Sequence, residues 1–437
     1  MKTLTGFSKL TITEKIDLLK KNVNLNEQQI DLLTAFREGD KDPGGIIEGL
    51  SENYISNYSL PFSIAPNFIV NDKWYYVPMV TEESSVVAAA AYAAKFWSGH
   101  GGFKSEISGT KKSGQIYFEW TGNIENLQSI LPVLKEKLVS CAKPLTVNME
   151  KRGGGITDIT LNTDDRGNTG YHIVNVEFDT VDSMGANLIN SCLETMGSEL
   201  ISFIADNFNG ADSKAETILA ILSNYTPECL VECSAECNIN DFSEISGKLT
   251  PVQFALKFEK ALKIAHEYIP RSVTHNKGIF NGIDAVLLAT GNDFRAVEAC
   301  GHAFAARDGK YTALTDVEIS GERFRYRLRI PLSIGTVGGA TSVHPMARLA
   351  LQIMNNPTSG ELMQVVASVG LASNFAAIRS LITDGIQKGH MRLHLNNILS
   401  HFNANESEKK LVEEHFINKQ YSFRSISDFL HIIRGSL

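Results

Sequence analysis

The sequence predicts an α+β protein, in which a large, mostly helical unit is interrupted by a smaller α/β unit and followed by a helical tail. The chain has 437 residues, more than one ordinary hydrophobic core holds, so at least two domains are expected. Helical patterns of hydrophobic residues lie toward both ends of the chain. Between Gly114 and Asn224, shorter strand and helix patterns alternate, which is typical of a small two-layer sandwich.

The first part of the large unit is expected to contain helices, a strand pair and a buried helix. Hydrophobic positions at helical spacing predict two short amphipathic helices within residues 10–36. The aromatic, alternating stretch Phe62–Met79 predicts strands joined by a hairpin turn at Asn71-Asp72. Val86–Phe96 is rich in alanine and carries no charge before Lys95, so a buried helix is expected there.

The interrupting unit is expected to be a sheet covered on one face by helices. Its predicted elements are a strand at Gly114–Thr121, a helix at 126–137, strands at Leu145–Glu150, Asp158–Leu161 and Tyr171–Phe178, and a helix that Asp182 opens as its N-cap.

The rest of the chain returns to helical patterns. Helices are predicted at Pro251–Tyr268, His344–Asn355 and Gly360–Ser368, and the C-terminal tail from residue 385 is polar and helical. Between them, Asn276-Lys277-Gly278 is predicted to be a turn, because small residues flank the lysine.

Charge and composition exclude several classes of function. A net charge of -8 and a pI near 5.8 argue against nucleic-acid binding, since no basic stripe is available to follow phosphates. No uninterrupted apolar run is long enough to span a membrane, and the N-terminus is amphipathic rather than a signal peptide. We therefore expect a cytoplasmic protein that does not bind membranes.

Three of the six cysteines, Cys229, Cys233 and Cys237, are spaced by four residues. This spacing admits a metal site, but neither a CxxC pair nor a nearby histidine accompanies it. Free thiols are the favoured interpretation, and no metal is expected.

The stretch Arg271–Glu298 carries the strongest indication of chemistry. Lys277 precedes Gly291-Asn292-Asp293 by one apolar segment, so an ammonium and a carboxylate are expected to meet. A buried ammonium beside a carboxylate keeps its proton and can stabilise an oxyanion that forms on a carbonyl. By itself, this stretch favours a structural ion pair over a catalytic one.

Four other segments fit the same chemistry. They are Val80–Ala90, Asp182–Asn187, Gly335–Thr341 and Gly385–Met391. Together with the lysine stretch, and in this order, they resemble the motif set of the 3-hydroxy-3-methylglutaryl-coenzyme A reductases, most closely the soluble bacterial class II enzymes. The resemblance extends over almost the whole chain.

The resemblance implies a domain organisation and a fold. Residues 1–110 and 223–384 would form the large substrate-binding domain, residues 111–222 the small dinucleotide-binding domain, and residues 385–437 a C-terminal helical flap. The small domain would be a ferredoxin-like α/β sandwich. A Rossmann fold has no support, because no strand is followed by GxGxxG.

The resemblance also assigns residues to roles. Lys277, aided by Asp293, would polarise the carbonyl, Glu83 would supply a proton to the aldehyde oxygen, and His390 would protonate the departing thiolate, with His394 as its competitor. The substrate-binding residues would be Ser85, Arg271 and Asn281, and the cofactor-binding residues Asp182, Met184, Gly185, Asn187 and Asn224. For Glu83, Asp182 and Asp293 the alternative is an ordinary place at a helix start.

The implied cofactor is NADPH or NADH, and coenzyme A arrives as part of the substrate. Lys151 and Arg152 precede Gly153-Gly154-Gly155, where a basic side chain suits a 2′-phosphate, so NADPH is favoured. The resemblance further implies a homodimer or higher homo-oligomer with active sites at subunit interfaces.

Two other functions compete with this hypothesis. An acyl-coenzyme A thioester hydrolase would recruit Ser84, Ser85 and His390, although a GxSxG elbow is missing. A non-catalytic helical assembly protein would use the glycine-rich segments only for close packing. Thiol release without nicotinamide would indicate the hydrolase, and a folded protein without turnover would indicate the assembly protein.

Overall fold

The computed structural model describes residues 3–38, 46–163, 171–383, 385, 395, 398–399, 401–416 and 421–435. Its N-terminal part contains α1 (Ile12–Val23), α2 (Glu27–Glu38), β1 (Phe62–Val70), β2 (Lys73–Val80) and α3 (Ser84–Ser98). The two amphipathic helices, the strand pair and the buried helix are thus confirmed. Asn71 and Asp72 both adopt left-handed backbone angles, φ 48° and 67°, as a tight hairpin turn requires.

The inserted unit is a four-stranded antiparallel sheet with two long helices. Its elements are β4 (Lys112–Trp120), α4 (Ile124–Ser129), α5 (Leu131–Glu150), β5 (Gly155–Thr163), β6 (Tyr171–Asp179), α6 (Ala186–Asn207) and β7 (Ala215–Leu222). The strand order β5-β6-β4-β7 and the βαββαβ sequence of the longer elements confirm the predicted ferredoxin-like sandwich. Phe118, Phe178 and Leu193 belong to a hydrophobic core that this unit forms by itself.

Two details of this unit differ from the prediction. Leu145–Glu150 is the last part of α5 and not a strand. Leu138, Ala142, Thr146 and Met149 are all buried, at the spacing of one helical face, so packing against the sheet overrides the strand-like composition and Pro144.

Asp182 is not the N-cap of α6. The helix begins at Ala186, and Gly185 is the N-cap residue, with φ 83°. A Cβ at Gly185 would lie 2.6 Å from Thr180 Cγ2, so both the backbone angle and the space require glycine here.

The large unit is completed by a second four-stranded sheet and a group of helices. The strands are β3 (Lys104–Ile107), β8 (Leu230–Asn238), β9 (Thr315–Ser320) and β10 (Arg323–Pro331), in the order β3-β8-β10-β9. The helices are α7 (Pro251–Glu267), α8 (Ile269–Ala289), α9 (Phe294–Ala305), α10 (Gly339–Val343), α11 (Pro345–Ile353) and α12 (Ser359–Ile382), and two further helices, Glu406–Phe416 and Phe423–Gly435, lie in the tail.

The predicted turn at 276–278 is wrong, because these residues lie inside α8. The small residues serve helix packing instead. A Cβ on Gly282 would lie 2.8 Å from Val369 O and 2.3 Å from Ser373 Oγ, so glycine lets α8 approach α12 closely. The lysine therefore stands on a rigid helix and not on a loop.

Helix α12 continues to Ile382, well past the predicted end at Ser368. It is long and apolar enough to cross a membrane by length and composition, but 78% of its most apolar stretch is buried inside the protein. Its residues Val366, Val369 and Phe375 belong to the largest hydrophobic core. This helix is accordingly a core helix of the large unit.

The three spaced cysteines lie on or next to β8 and are buried. Burial raises the pKa of Cys229 to about 11 and the pKa values of Cys233 and Cys237 to about 12. Cys233 Sγ lies 3.4 Å from Ser368 Oγ. Within the described ranges no group of three or more potential ligands forms a metal site, and these thiols pack as small apolar groups.

Candidate active site

The site begins where α3 meets α8. Glu83 precedes the first turn of α3, and its Oε1 accepts a hydrogen bond of 2.5 Å from Ser85 Oγ. Its other oxygen, Oε2, lies 3.7 Å from Lys277 Nζ on α8. Fold and packing thus bring together two predicted catalytic residues and one predicted substrate-binding residue, although almost 200 positions separate Glu83 from Lys277 in the sequence.

This pair is open in the single chain. The side chain of Lys277 is 64% exposed and that of Glu83 is 36% exposed, so the expectation of a buried ammonium is not met here. An exposed pair contributes little to folding. Replacing either residue should therefore change the free energy of unfolding little, as expected for a pair that serves chemistry rather than folding.

Asp293 lies at the start of α9, with its carboxylate directed at the helix backbone. Asp293 Oδ1 accepts hydrogen bonds from Arg295 N (3.1 Å) and Ala296 N (3.2 Å). Arg295 Nε also approaches it, at 3.2 Å. The capping role is therefore present. The expected pairing of Lys277 with Asp293 is not seen, and among the described residues Glu83 is the carboxylate within 4 Å of Lys277.

The glycine-rich stretch 335–341 connects two of the other motifs. Gly335 N donates to Asn292 Oδ1 at 2.8 Å, beside Asp293. On its other side, Thr336 N donates to Asp182 O at 2.8 Å. A Cβ on Gly335 would lie 2.5 Å from Met184 N. The stretch thus holds the Asp182 segment against the loop that precedes Asp293.

The Asp182–Asn187 segment crosses from the small sheet to the large unit. Asp182 Oδ1 accepts a 2.8 Å hydrogen bond from Ser359 N at the start of α12, while Asn187 is exposed on α6. No side chain among the described residues caps α6. Its first N–H groups and its dipole are therefore available to an anion such as a dinucleotide phosphate.

A small cavity lies between this segment and the large unit. Its lining includes Met184 and Asn224, which were both predicted to bind the cofactor, together with Lys112, Ala296 and Ser333. Ala296 is also the residue whose N–H binds Asp293. The cavity therefore joins the predicted cofactor residues to the helix that Asp293 caps.

Sequence reasoning missed a pair of carboxyl groups near Lys277. Burial and the neighbouring charge of Glu298 raise the pKa of Asp284 to about 8, and Lys277 opposes this shift. Asp284 Oδ1 is buried without a partner among the described residues. The signal in the sequence was its spacing of seven residues from Lys277, which puts both side chains on one face of a helix.

Not every predicted site residue can be placed. Arg271 and Asn281 lie on α8 with Lys277, and both are partly buried. His390 and its competitor His394 lie outside the described residues. Their roles stay predictions.

Comparison with known proteins is consistent with this geometry. The sequence model of the family described as hydroxymethylglutaryl-coenzyme A reductase matches residues 11–395. A 3-hydroxy-3-methylglutaryl-coenzyme A reductase of Archaeoglobus fulgidus is 35% identical over 90% of this chain and 86% of its own length. A probable reductase of the same name from Borreliella burgdorferi is 38% identical over 88% and 86%.

Solved structures agree in fold. The 3-hydroxy-3-methylglutaryl-coenzyme A reductase of Streptococcus pneumoniae matches with a TM-score of 0.79 and 34% identity, over 98% of this chain and 99% of that one. A class II structure from the same organism, bound to NADPH in open conformations, matches with a TM-score of 0.78 and 35% identity, over 87% and 99%. The chain belongs to the hydroxymethylglutaryl-coenzyme A reductase family.

Proposed function

We propose that Glu83, Lys277, Asp293 and His390 are the catalytic residues with which this chain reduces 3-hydroxy-3-methylglutaryl-CoA to mevalonate and CoA. Two reduced nicotinamides supply the two hydrides, and two protons are taken up. The observation that carries the proposal is that Lys277 Nζ lies 3.7 Å from Glu83 Oε2. The membership of the chain in this reductase family adds to its weight.

Lys277 acts on the thioester carbonyl. As hydride reaches the carbonyl carbon, negative charge develops on the oxygen, and a fixed ammonium stabilises that charge more than it stabilises the neutral ground state. The position of Lys277 on α8, which glycine packing holds tightly to α12, supports this role. Asn281, one turn further along α8, would hold the substrate beside it.

Proton transfer completes each reduction. When the first tetrahedral intermediate collapses, its carbon–sulfur bond breaks and His390 donates a proton to the CoA thiolate. In the second reduction Glu83 donates a proton to the aldehyde oxygen. The hydrogen bond from Ser85 to Glu83 supports a fixed orientation of that carboxyl group, and Ser85 beside it would bind the carboxylate end of the substrate.

Asp293 completes this arrangement by an electrostatic effect. Its carboxylate would stabilise the charge on Lys277 during the first reduction. The two hydrogen bonds that it accepts from the start of α9 fix its position. Capping and catalysis are compatible, because a carboxylate has enough lone pairs for both.

The residues present fit a nicotinamide dinucleotide. The uncapped start of α6 suits its diphosphate, and Met184 and Asn224, which line the small cavity beside it, would contact the cofactor there. Lys151 and Arg152 are exposed in the turn before Gly154. A Cβ on Gly154 would lie 2.3 Å from Asp179 O, so this turn packs closely against the end of β6. Two bases thus lie near the cofactor segment, which supports NADPH over NADH.

We further propose that the working enzyme is a homodimer or higher homo-oligomer with sites at the interface. The exposure of Lys277 and Glu83 in the single chain supports a cover supplied by a second subunit. Activity per chain is then expected to fall when dilution separates the subunits. Undiminished activity of separated monomers, seen by light scattering, would contradict the proposal.

The contacts of Ser85 disfavour the hydrolase alternative. Its hydroxyl donates to the Glu83 carboxylate, whereas a nucleophilic serine would donate to a histidine base. His390, the base that this alternative would recruit, lies outside the described residues. The alternative also predicts thiol release without nicotinamide, which one assay can separate from reduction.

The experiment is to follow NADPH absorbance after the thioester is added. Wild-type protein is expected to consume two NADPH per thioester, and Lys277→Met about 100- to 1,000-fold more slowly, in the range for loss of one oxyanion donor. Lys104→Met is the control, because Lys104 is 54% exposed and pairs with Asp72 far from the site. Equal rates for wild type and Lys277→Met would contradict the proposed role of Lys277 in stabilising the oxyanion.

A further inference from the structure

Lys112, at the first position of β4, is a buried lysine that no motif points to. Only 4% of its surface is exposed, whereas its neighbour Lys111 is a half-exposed lysine paired with Glu177. Lysine is rarely buried unless it is paired. Yet no carboxylate lies within 4 Å of Lys112 among the described residues.

The amine instead binds the turn that leads into α6. Lys112 Nζ donates to Thr180 Oγ1 at 2.7 Å and to Ser183 O at 3.2 Å. Thr180 Oγ1 in turn donates to Ser183 O at 2.5 Å. These three contacts fix residues 180–183, directly before Met184 and Gly185.

Lys112 also lines the cavity that contains Met184 and Asn224. An ammonium has three hydrogens, and the turn uses two of them. Burial lowers the pKa of Lys112, and the negative groups near it, including Asp179 and Asp182, oppose this shift. A charged donor with one free hydrogen, buried at the edge of a cavity, favours a ligand that brings an oxygen acceptor.

We propose that Lys112 is a further cofactor-binding residue. It fixes the 180–183 turn and donates its third hydrogen bond to an oxygen of the dinucleotide, either of the diphosphate or of the nicotinamide amide. This inference deepens the cofactor site proposed above and depends on it. The thioester does not bind Lys112.

The test measures binding of NADPH by quenching of protein fluorescence, with Michaelis constants for NADPH and for the thioester in parallel. Lys112→Met is expected to weaken NADPH binding by about 10- to 100-fold, the value of one charged hydrogen bond, and to leave the Michaelis constant of the thioester unchanged. Lys112→Arg restores part of the affinity. Lys111→Met, the neighbouring exposed lysine, binds NADPH like wild type.

ADP-ribose, which has the diphosphate but lacks nicotinamide, separates the two acceptors. Loss of its affinity in Lys112→Met indicates the diphosphate, and loss for NADPH alone indicates the amide. Unchanged NADPH binding by a folded Lys112→Met protein overturns the inference, as does an equal loss for cofactor and thioester. If the methionine variant does not fold, Lys112→Gln is measured against the same two outcomes. Failure of the wild type to bind NADPH would instead overturn the cofactor site itself.

Discussion

The two halves of the site are built differently. On the proposed cofactor side, Lys112 fixes the turn at 180–183, and Ser359 and the 335–341 stretch hold the neighbouring segment. On the proposed substrate side, Glu83 and Lys277 face each other at 3.7 Å, and the lysine is 64% exposed. One half is enclosed by its own chain, and the other is open.

This difference indicates how the reaction is organised. Preformed hydrogen bonds lower the entropic cost of ordering the protein around the dinucleotide. The chemistry needs a site that excludes water only after both ligands have entered. An open pair that is covered later, by a partner subunit or by the C-terminal tail, meets that need.

The largest expected effect on activity comes from replacing Glu83, the proposed acid of the open half. Glu83→Gln keeps the size of the side chain and its contact with Ser85 but cannot donate the carboxyl proton. We expect kcat to fall by about 100- to 10,000-fold, with a change in Tm of less than about 2 °C, because an exposed pair contributes little to stability. Absorbance of NADPH measures the rate.

Glu82→Gln is the matched control, because Glu82 is the exposed neighbour of Glu83. It is expected to keep nearly all activity. If both variants lose activity equally, a general effect of negative charge at the start of α3 explains the result better than a specific acid.

A smaller effect is expected from distorting the enclosed half. Gly185→Ala forces an alanine into φ 83° and a Cβ to within 2.6 Å of Thr180 Cγ2. We expect a loss of about 1–3 kcal/mol in the free energy of unfolding and a several-fold higher Michaelis constant for NADPH. The Michaelis constant of the thioester is expected to stay unchanged.

Gly210→Ala separates backbone strain from crowding. Gly210 has φ 65°, but a Cβ there would have no atom within 4 Å. It is expected to lose about 1 kcal/mol without any change in the Michaelis constant for NADPH. A Gly185→Ala protein that binds NADPH like wild type would contradict the idea that the preformed turn before α6 supports cofactor binding.

The sequence predicted much of this arrangement, because part of it is local. The hairpin at Asn71-Asp72 and the alanine-rich α3 follow from turn chemistry and periodicity, whereas the ferredoxin-like form of the small sheet was implied by the family resemblance. The motifs also identified Glu83, Lys277 and the segment Asp182–Asn187 as candidates. Their meeting in space could be expected only through the family resemblance.

The failures share a physical cause, which is tertiary packing. Small residues around Lys277 favour a turn by propensity. In the fold they lie within α8 instead, and Gly282 lets this helix pack closely against α12. In α5 the buried face overrides the strand propensity of Leu145–Glu150. Lys112 and Asp284 were missed because an isolated buried ionisable residue leaves no pattern in one sequence.

The smallest effect concerns the pH dependence of stability, and it comes from Asp284. Its pKa is about 8 in the folded protein, against 3.8 ordinarily, so between these values the unfolded chain releases a proton that the folded chain retains. Stability is therefore expected to fall as pH rises from about 4 to 8. Asp284→Asn mimics the protonated carboxyl group and should reduce this slope, gaining about 2–5 °C in Tm over wild type at pH 8 relative to pH 5. Asp308→Asn, at a site whose side chain is 78% exposed, should follow wild type, and parallel Tm curves for all three proteins would show that Asp284 ionises normally beside Lys277.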